Sequence, residues 1–323
     1  MRLFYQVVSS MIFLALTVTL AACASGSDKA TQTDVLTSPA RLLDQGVQNY
    51  NNHHYQDAIR YFEKSLLQYR SIDDQPGIAN SCLNLGKAHM AINNNQTASE
   101  YLNKATSVIE LAQLTQLKEH LHLLKSSLAI NNTLYDEAIV ELKPLLNSNT
   151  VNIKLAALKN RTRIAFIKKD SDRQQWLNQY KTLQQQNPEN TLSHQARILR
   201  FESETTEDNK EKTALLQQSL ALSKKISNRT AIAATLTQWA KFDFKNRQYQ
   251  QSEDKNLRAL FIRHQSGDVK NTLLILKQLQ AVYIATNNEK EKLTNTWINK
   301  LSEQQLSGWQ SLFSDFDNFP NPN

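Results

Sequence analysis

One pattern is written twice between Pro39 and Ala105, and it leaves this chain few folds to choose from. Gly46 is followed by Ala58, Phe62 and Ser65. Gly86, forty residues later, is followed by Ala98, Leu102 and Ala105 at the same offsets. A small residue thus stands twelve positions after each glycine, and an apolar one sixteen after it. A fixed period of this length marks a stack of like units, because one helix pair cannot bury its apolar face alone.

Within a unit the residues read as two helices. Ser38 and Pro39 have the chemistry of an N-cap followed by proline at the first helical position. Leu42, Leu43, Gly46, Val47 and Tyr50 recur at helical spacing, and Asn51 to His54 break the pattern. Ala58, Ile59, Phe62, Leu66 and Tyr69 then share one face of a second helix. Small residues at Gly46 and Ala58 let the two helices approach, with Phe62 filling the space beside them. An irregular bundle is the alternative, and the matching offsets in the next unit favour the stack.

The frame continues. Ser126, forty after Gly86, is followed by Ala138, Leu142 and Leu145, and Pro144 should kink that second helix or make its start irregular. A fourth unit is degenerate, with Ile153, Ala156, Ile164, Ala165 and Ile167 before a turn, then Trp176, Leu177, Tyr180 and Leu183. The fifth offers Ala196, Leu199, Leu215, Leu216, Leu220 and Leu222, and the sixth Leu236, Trp239, Ala240, Ser252 and Ala259. Ala240 lies 154 residues after Gly86, short of four full periods, and the loss is assigned to the fourth and fifth units. Leu276, Leu279, Tyr283, Leu293, Trp297 and Leu301 make a seventh. No alternating apolar run suggests a strand.

The spacing resembles the tetratricopeptide repeat, in a form of about forty residues rather than the usual ~34. The resemblance implies an all-α chain, a right-handed α-solenoid of stacked antiparallel helical hairpins over residues 39–301, whose function is protein binding. It also implies that the first helix of each unit lines a concave groove. Transferred by position, the groove would present Leu43, Val47 and Tyr50, then Asn80, Leu83, Lys87 and Met90, then His120, Leu123, Ser127 and Ile130. Later units would add Thr237, Lys241 and Phe244, and Leu274, Lys277 and Ile284. These sets lack the dense Lys/Asn clamp that some family members close on a terminal carboxylate, so an apolar or amphipathic segment is the expected partner.

Residues 1–22 carry one charge, Arg2, and a nearly continuous apolar run, and read as a secretory signal too short to span a membrane. Leu20-Ala21-Ala22-Cys23 resembles the bacterial lipobox. That resemblance implies cleavage before Cys23, a diacylglycerol on its thiol and a further acyl chain of the palmitate kind on its amine. The lipid bilayer would then be a partner through acylated Cys23, since several chains anchor where one is marginal. Ala24, where an aspartate would favour retention in the inner membrane, points to the outer membrane facing the periplasm. Residues 23–38 read as lipidated cysteine and flexible tether.

Without Arg2 the 37 basic residues become 36 against 30 acidic ones, a mild excess spread along the sequence. No concentrated basic stripe or motif suggests nucleic acid. Cys82 is left without an obvious partner, either a thiol open to pairing or a small buried hydrophobe. Six glycines leave no phosphate-cradling loop. His53-His54 and His120/His122 do not have chelating spacing, and Asp73-Asp74 and Asp315/Asp317 lack a calcium loop, so no metal, cofactor or catalytic residue is assigned.

The expected function is that of a membrane-anchored scaffold for protein or peptide partners in the envelope, serving pilus, secretion or cell-wall machinery. An enzyme, or a regulator of a cell-wall enzyme, hidden in the degenerate middle units is the alternative. In residues 302–323, Trp309, Leu312, Phe313 and Phe316 form one apolar helical face, read either as a cap on the last unit or as a recognition segment for a partner or a second copy.

Overall fold

The computed structural model describes residues 31–189, 191–303 and 311–312, with side chains from residue 38 onward. Cys23, Trp309, Phe313 and Phe316 lie outside the described residues. The described residues form fourteen α-helices and no strand. We number them α1 (Thr31–Asn51), α2 (Tyr55–Ser71), α3 (Gln75–Ala91), α4 (Asn95–Leu111), α5 (Lys118–Asn131), α6 (Tyr135–Leu142) and α7 (Val151–Lys168). There follow α8 (Arg173–Gln186), α9 (Leu192–Thr205), α10 (Asn209–Lys225), α11 (Arg229–Lys245), α12 (Tyr249–Gln265), α13 (Val269–Ala285) and α14 (Lys290–Ser302). Consecutive helices pack on one another throughout, giving an all-α solenoid.

The module beneath the forty-residue repeat is half as long: a 17-residue helix and a three-residue turn. Each turn places one residue in the left-handed region, at His53, Asp73, Asn93, Gln113 and Thr133, and again at Ser227, Arg247, Gly267 and Asn287. Within each series the spacing is twenty. At the Asp73 turn Asp74 N–H donates to the Tyr69 carbonyl at 3.0 Å and Asp73 N–H to that of Arg70 at 3.3 Å. This pair of bonds satisfies carbonyls that the helix end would otherwise leave open. Next come side-chain caps: Asp74 accepts from Gly77 N–H, Asn94 from Thr97 N–H and Asn228 from Ala231 N–H.

An offset of 154 residues superposes the first half on the second. It relates Gly86 to Ala240, the turn residues Asp73 and Asn93 to Ser227 and Arg247, and the caps Asp74 and Asn228. It also relates the hydroxyls of two buried polar ties, although their carbonyl acceptors lie three residues out of that register. Ser65 Oγ donates to the Pro39 carbonyl at 2.8 Å and meets Ser81 Oγ at 3.3 Å. Ser219 Oγ donates to the Ala196 carbonyl at 2.8 Å and meets Thr235 Oγ1 at 3.1 Å.

Close approach at the small positions is visible in the packing. A Cβ on Gly46 would fall 2.4 Å from the Phe62 ring, and one on Gly86 2.8 Å from Leu102. Ala58, Ala98 and Ala138 are fully buried, as is Cys82, which serves as a small core residue.

Three local expectations change. Helix α1 begins at Thr31, so Pro39 lies inside a helix, and residues 31–38 are helical where composition suggests a tether. Ser38 and Pro39 predict a helix start, yet the helix continues through the proline at the loss of one backbone bond. Pro144 does not kink a helix: α6 stops at Leu142 and a 3-10 turn over Pro144–Asn147 replaces the last turns. In α7 Ile153, Ile164 and Ala165 are buried as expected, but Ile167 is 45% exposed.

Candidate functional site

Each first helix touches the first helix of the next unit, from α1 to α3 through to α11 and α13, and the second helices make no comparable contact with each other. The first helices therefore line the inside of the curve. The curve wraps far enough to bring distant units together. Lys270 Nζ, at the start of α13, donates to the Asn131 carbonyl at 3.1 Å. Tyr55, at the start of α2, and Thr230, at the start of α11, line one and the same cavity.

Between these ends lies a cavity of about 440 Å³. The α1–α2 turn forms one wall with Tyr50, His53 and Tyr55, and Lys159, Arg197 and Arg200 face them from α7 and α9. None of the fifteen residues lining it is acidic. Lys159 and Arg163 are one helical turn apart on α7, as are Arg197 and Arg200 on α9, so four cations project from neighbouring helices. Arg200 is buried and donates from Nη1 to the Ala231 carbonyl at 3.2 Å. Lys159, Arg163 and Arg197 are half-buried and have no hydrogen bond or ion pair among the described residues.

Burial, and then the neighbouring Arg197 and Arg163, lowers the Lys159 ammonium to about 8. Arg197 is pushed down to about 10 by burial and remains charged at neutral pH. Burial followed by Lys159 and Arg197 lowers the His194 imidazole to about 4, which keeps it neutral. Its Nδ1 lies 2.6 Å from the Tyr180 hydroxyl, whose ionisation burial pushes up. With the phenol donating to Nδ1, Nε2 retains its hydrogen and is a further donor.

Backbone adds the same sign. Ser193 and His194 stand in the first turn of α9, and Thr230 and Ala231 in that of α11, so the positive ends of two helices border the cavity. Thr191 does not cap α9; its hydroxyl donates to the Asn187 and Pro188 carbonyls instead. Donors and positive charge converge here with no carboxylate among the lining residues.

The residues expected from the sequence to line the groove are scattered. Tyr50 lines the cavity, its ring 5.2 Å from that of Tyr55 and covered by Lys87 Nζ at 4.2 Å from its centroid. Burial lowers the Lys87 ammonium. Ile130 and Leu83 are buried in the core between units, not on a groove, because helical faces one residue away from the groove pack against the next hairpin. Leu43, Met90 and Phe244 are half-buried against the core. Ser127 receives a bond from Asn160 Nδ2 at 3.3 Å, and Asn80 is half-buried. Val47, Lys241, Lys277, Leu274 and Ile284 are exposed. Leu312, from the tail, is fully buried against the last units.

Composition reads as evenly spread charge, but folding gathers four cations. Sequence reasoning missed Lys159, Arg163, Arg197 and Arg200, although a local signal was there. Like charges at i,i+4 and i,i+3 share a helix face and repel, an arrangement that needs an outside reason.

No protein-family model matches the chain, and no curated protein matches it in sequence. Among solved structures it is similar to the crystal structure of BtubC (BKLC) from P. vanneervenii, at 10% identity over 92% of this chain and 96% of that chain, with a TM-score of 0.37. A likeness of that degree carries no argument about function.

Proposed function

We propose that this chain is a lipid-anchored scaffold of the tetratricopeptide kind, which holds a protein partner on its first helices in the bacterial envelope. The observation that supports this reading is the apolar side chains that two of those helices leave in water: Val47 on α1 at 36% exposure, and Leu274 at 49% and Ile284 at 62% on α13. Large apolar residues exposed on an ordered helix face cost free energy that a partner surface recovers. Lys277, one turn after Leu274 on α13, and Lys241, exposed on α11, supply charge for orientation. Cys23 would tether the solenoid to the outer membrane through its acyl chains, with the groove open to the periplasm.

The test uses the full chain, solubilised in mild detergent, as bait in envelope extract. Discrete partners that are lost in a Leu274→Glu, Ile284→Glu double variant support the scaffold. Turnover of cell-wall fragments with no partner captured would overturn it. The anchor is checked separately: Cys23→Ser should abolish lipid labelling, and unchanged labelling would remove the lipoprotein reading.

A further inference from the structure

The cavity between the first unit and units four to six is not explained by a scaffold that grips apolar side chains. Like charges have been brought together there at a cost. Lys159 and Arg197 face the same space, Arg163 is close enough to act on both, and the charged groups acting on these three include no carboxylate. An unpaired cation held away from bulk water is unfavourable, and several of one sign together are worse. Elsewhere in the same chain the fold does supply counter-charges: Arg263 bonds Asp268 at 2.9 Å, and Lys255 meets Asp243 at 2.7 Å. The absence of an acid among the cavity walls is therefore a local property of this site.

We infer that the cavity is a binding site for a compact oxyanion carrying more than one negative charge, held by Lys159, Arg197 and Arg200 with the His194 imidazole as a further N–H donor. The Arg197 guanidinium presents a planar fork of N–H donors suited to paired oxygens, Arg200 adds the donors that its bond to the Ala231 carbonyl leaves over, and Lys159 adds a point charge. Arg163 stands behind the first rank and adds to the field. The first turns of α9 and α11 direct positive helix ends at the same volume, which favours an anion further. A volume of about 440 Å³ admits a phosphate group or a small polycarboxylate together with the part of the molecule that carries it. Tyr50 and Tyr55 provide an apolar wall for that part. A bound anion would also tie α7 and α9 to the α1–α2 turn, so occupancy should stiffen the closed curve of the solenoid.

The site stands apart from the apolar contact surface of the scaffold, and its test is independent of partner capture. The full chain in uncharged detergent at pH 7.5 is titrated with sodium phosphate, with sodium citrate and with sodium chloride at matched ionic strength. Heat of binding and melting temperature are followed. Saturable binding of phosphate or citrate, with a rise in melting temperature beyond that in chloride, is the expected result. A response to phosphate alone identifies a phosphate group as the ligand chemistry, and one to citrate alone identifies clustered carboxylates. Arg197→Gln should weaken binding by ~10–100-fold, the range expected for a lost charge-assisted bond. It should leave the melting temperature of the unliganded protein unchanged or higher, because a repelling charge has gone. Lys159→Met should behave in the same way. Equal responses to all three salts, or undiminished affinity in both variants, would overturn the site. So would a lower unliganded melting temperature in both variants, since the cations would then be holding the fold together.

Discussion

The Tyr180 hydroxyl and Nδ1 of His194 lie 2.6 Å apart across the turn from α8 to α9, with their rings edge to face. The bond ties the second helix of one unit to the first helix of the next at the rim of the cationic cavity. It also holds an imidazole that cannot easily take a second proton.

That imidazole gives a pH prediction. His194 titrates at about 4 in the folded chain, against ~6.5 when unfolded. Between those values the unfolded chain binds more protons, so stability falls as pH drops from 6.5 towards 4 and levels off below. The loss from this group is at most ~3 kcal/mol. His53 and His89, both lowered chiefly by burial, act in the same direction. Urea denaturation at pH 4 to 7 should show a shallower slope in His194→Gln than in the parent. An identical slope would mean that His194 is not the group responsible.

Lys159 gives the opposite end of the profile. Its folded value of about 8 lies below 10.5, so the unfolded chain holds the extra proton above pH 7 and stability rises with pH there. Between pH 7 and 8.5 the gain is roughly 0.5–1 kcal/mol by the same linkage. Higher still, the buried Cys82 thiol and the Tyr50, Tyr180 and Tyr283 phenols, all pushed up by burial, reverse the trend. Lys159→Met should be more stable than the parent at pH 7 and lose the alkaline rise. A variant that keeps the rise would assign it elsewhere.

Gly46→Ala tests the helix contact that sets the repeat. The added methyl would meet the Phe62 ring at 2.4 Å, a clash expected to cost ~1–3 kcal/mol. Better helix propensity returns up to about 1 kcal/mol, so a net loss is expected. Pairing it with Phe62→Leu should recover part of that loss by opening space, and thermal melts of the two single variants and the double would show the coupling. Additive losses would mean that the contact is not what the glycine serves.

The frame was legible because small residues recur where two helices cross, and Gly46, Gly86 and Ser126 keep that spacing. It faded where loop geometry changes. Pro144 ends α6 early, and the next left-handed turn residue, Lys169, comes 36 positions after Thr133 instead of forty. By Ser227 the drift has reached six residues, which is why Ala240 stands 154 beyond Gly86. The groove was less legible than the frame, since one residue of register separates a groove position from a core position such as Ile130. The cavity needed the solenoid's curvature, which brings Tyr55 against Thr230, and no local pattern encodes that approach.

Leu312 bears on the two readings of the tail. It is fully buried in the same apolar cluster as Trp297 and Leu301 of the last helix, and among the described residues no further hairpin covers that face. A terminal repeat needs such a cover, so a capping role is expected. Leu312→Ala should cost ~2–4 kcal/mol, the range for truncating a well-packed leucine. Deleting residues 305–323 should lower the melting temperature and expose surface that binds an apolar dye. A recognition segment would behave differently: both variants would melt like the parent while a partner or self-association was lost. If the truncated chain keeps its stability and every partner, neither a cap nor a recognition segment describes the tail.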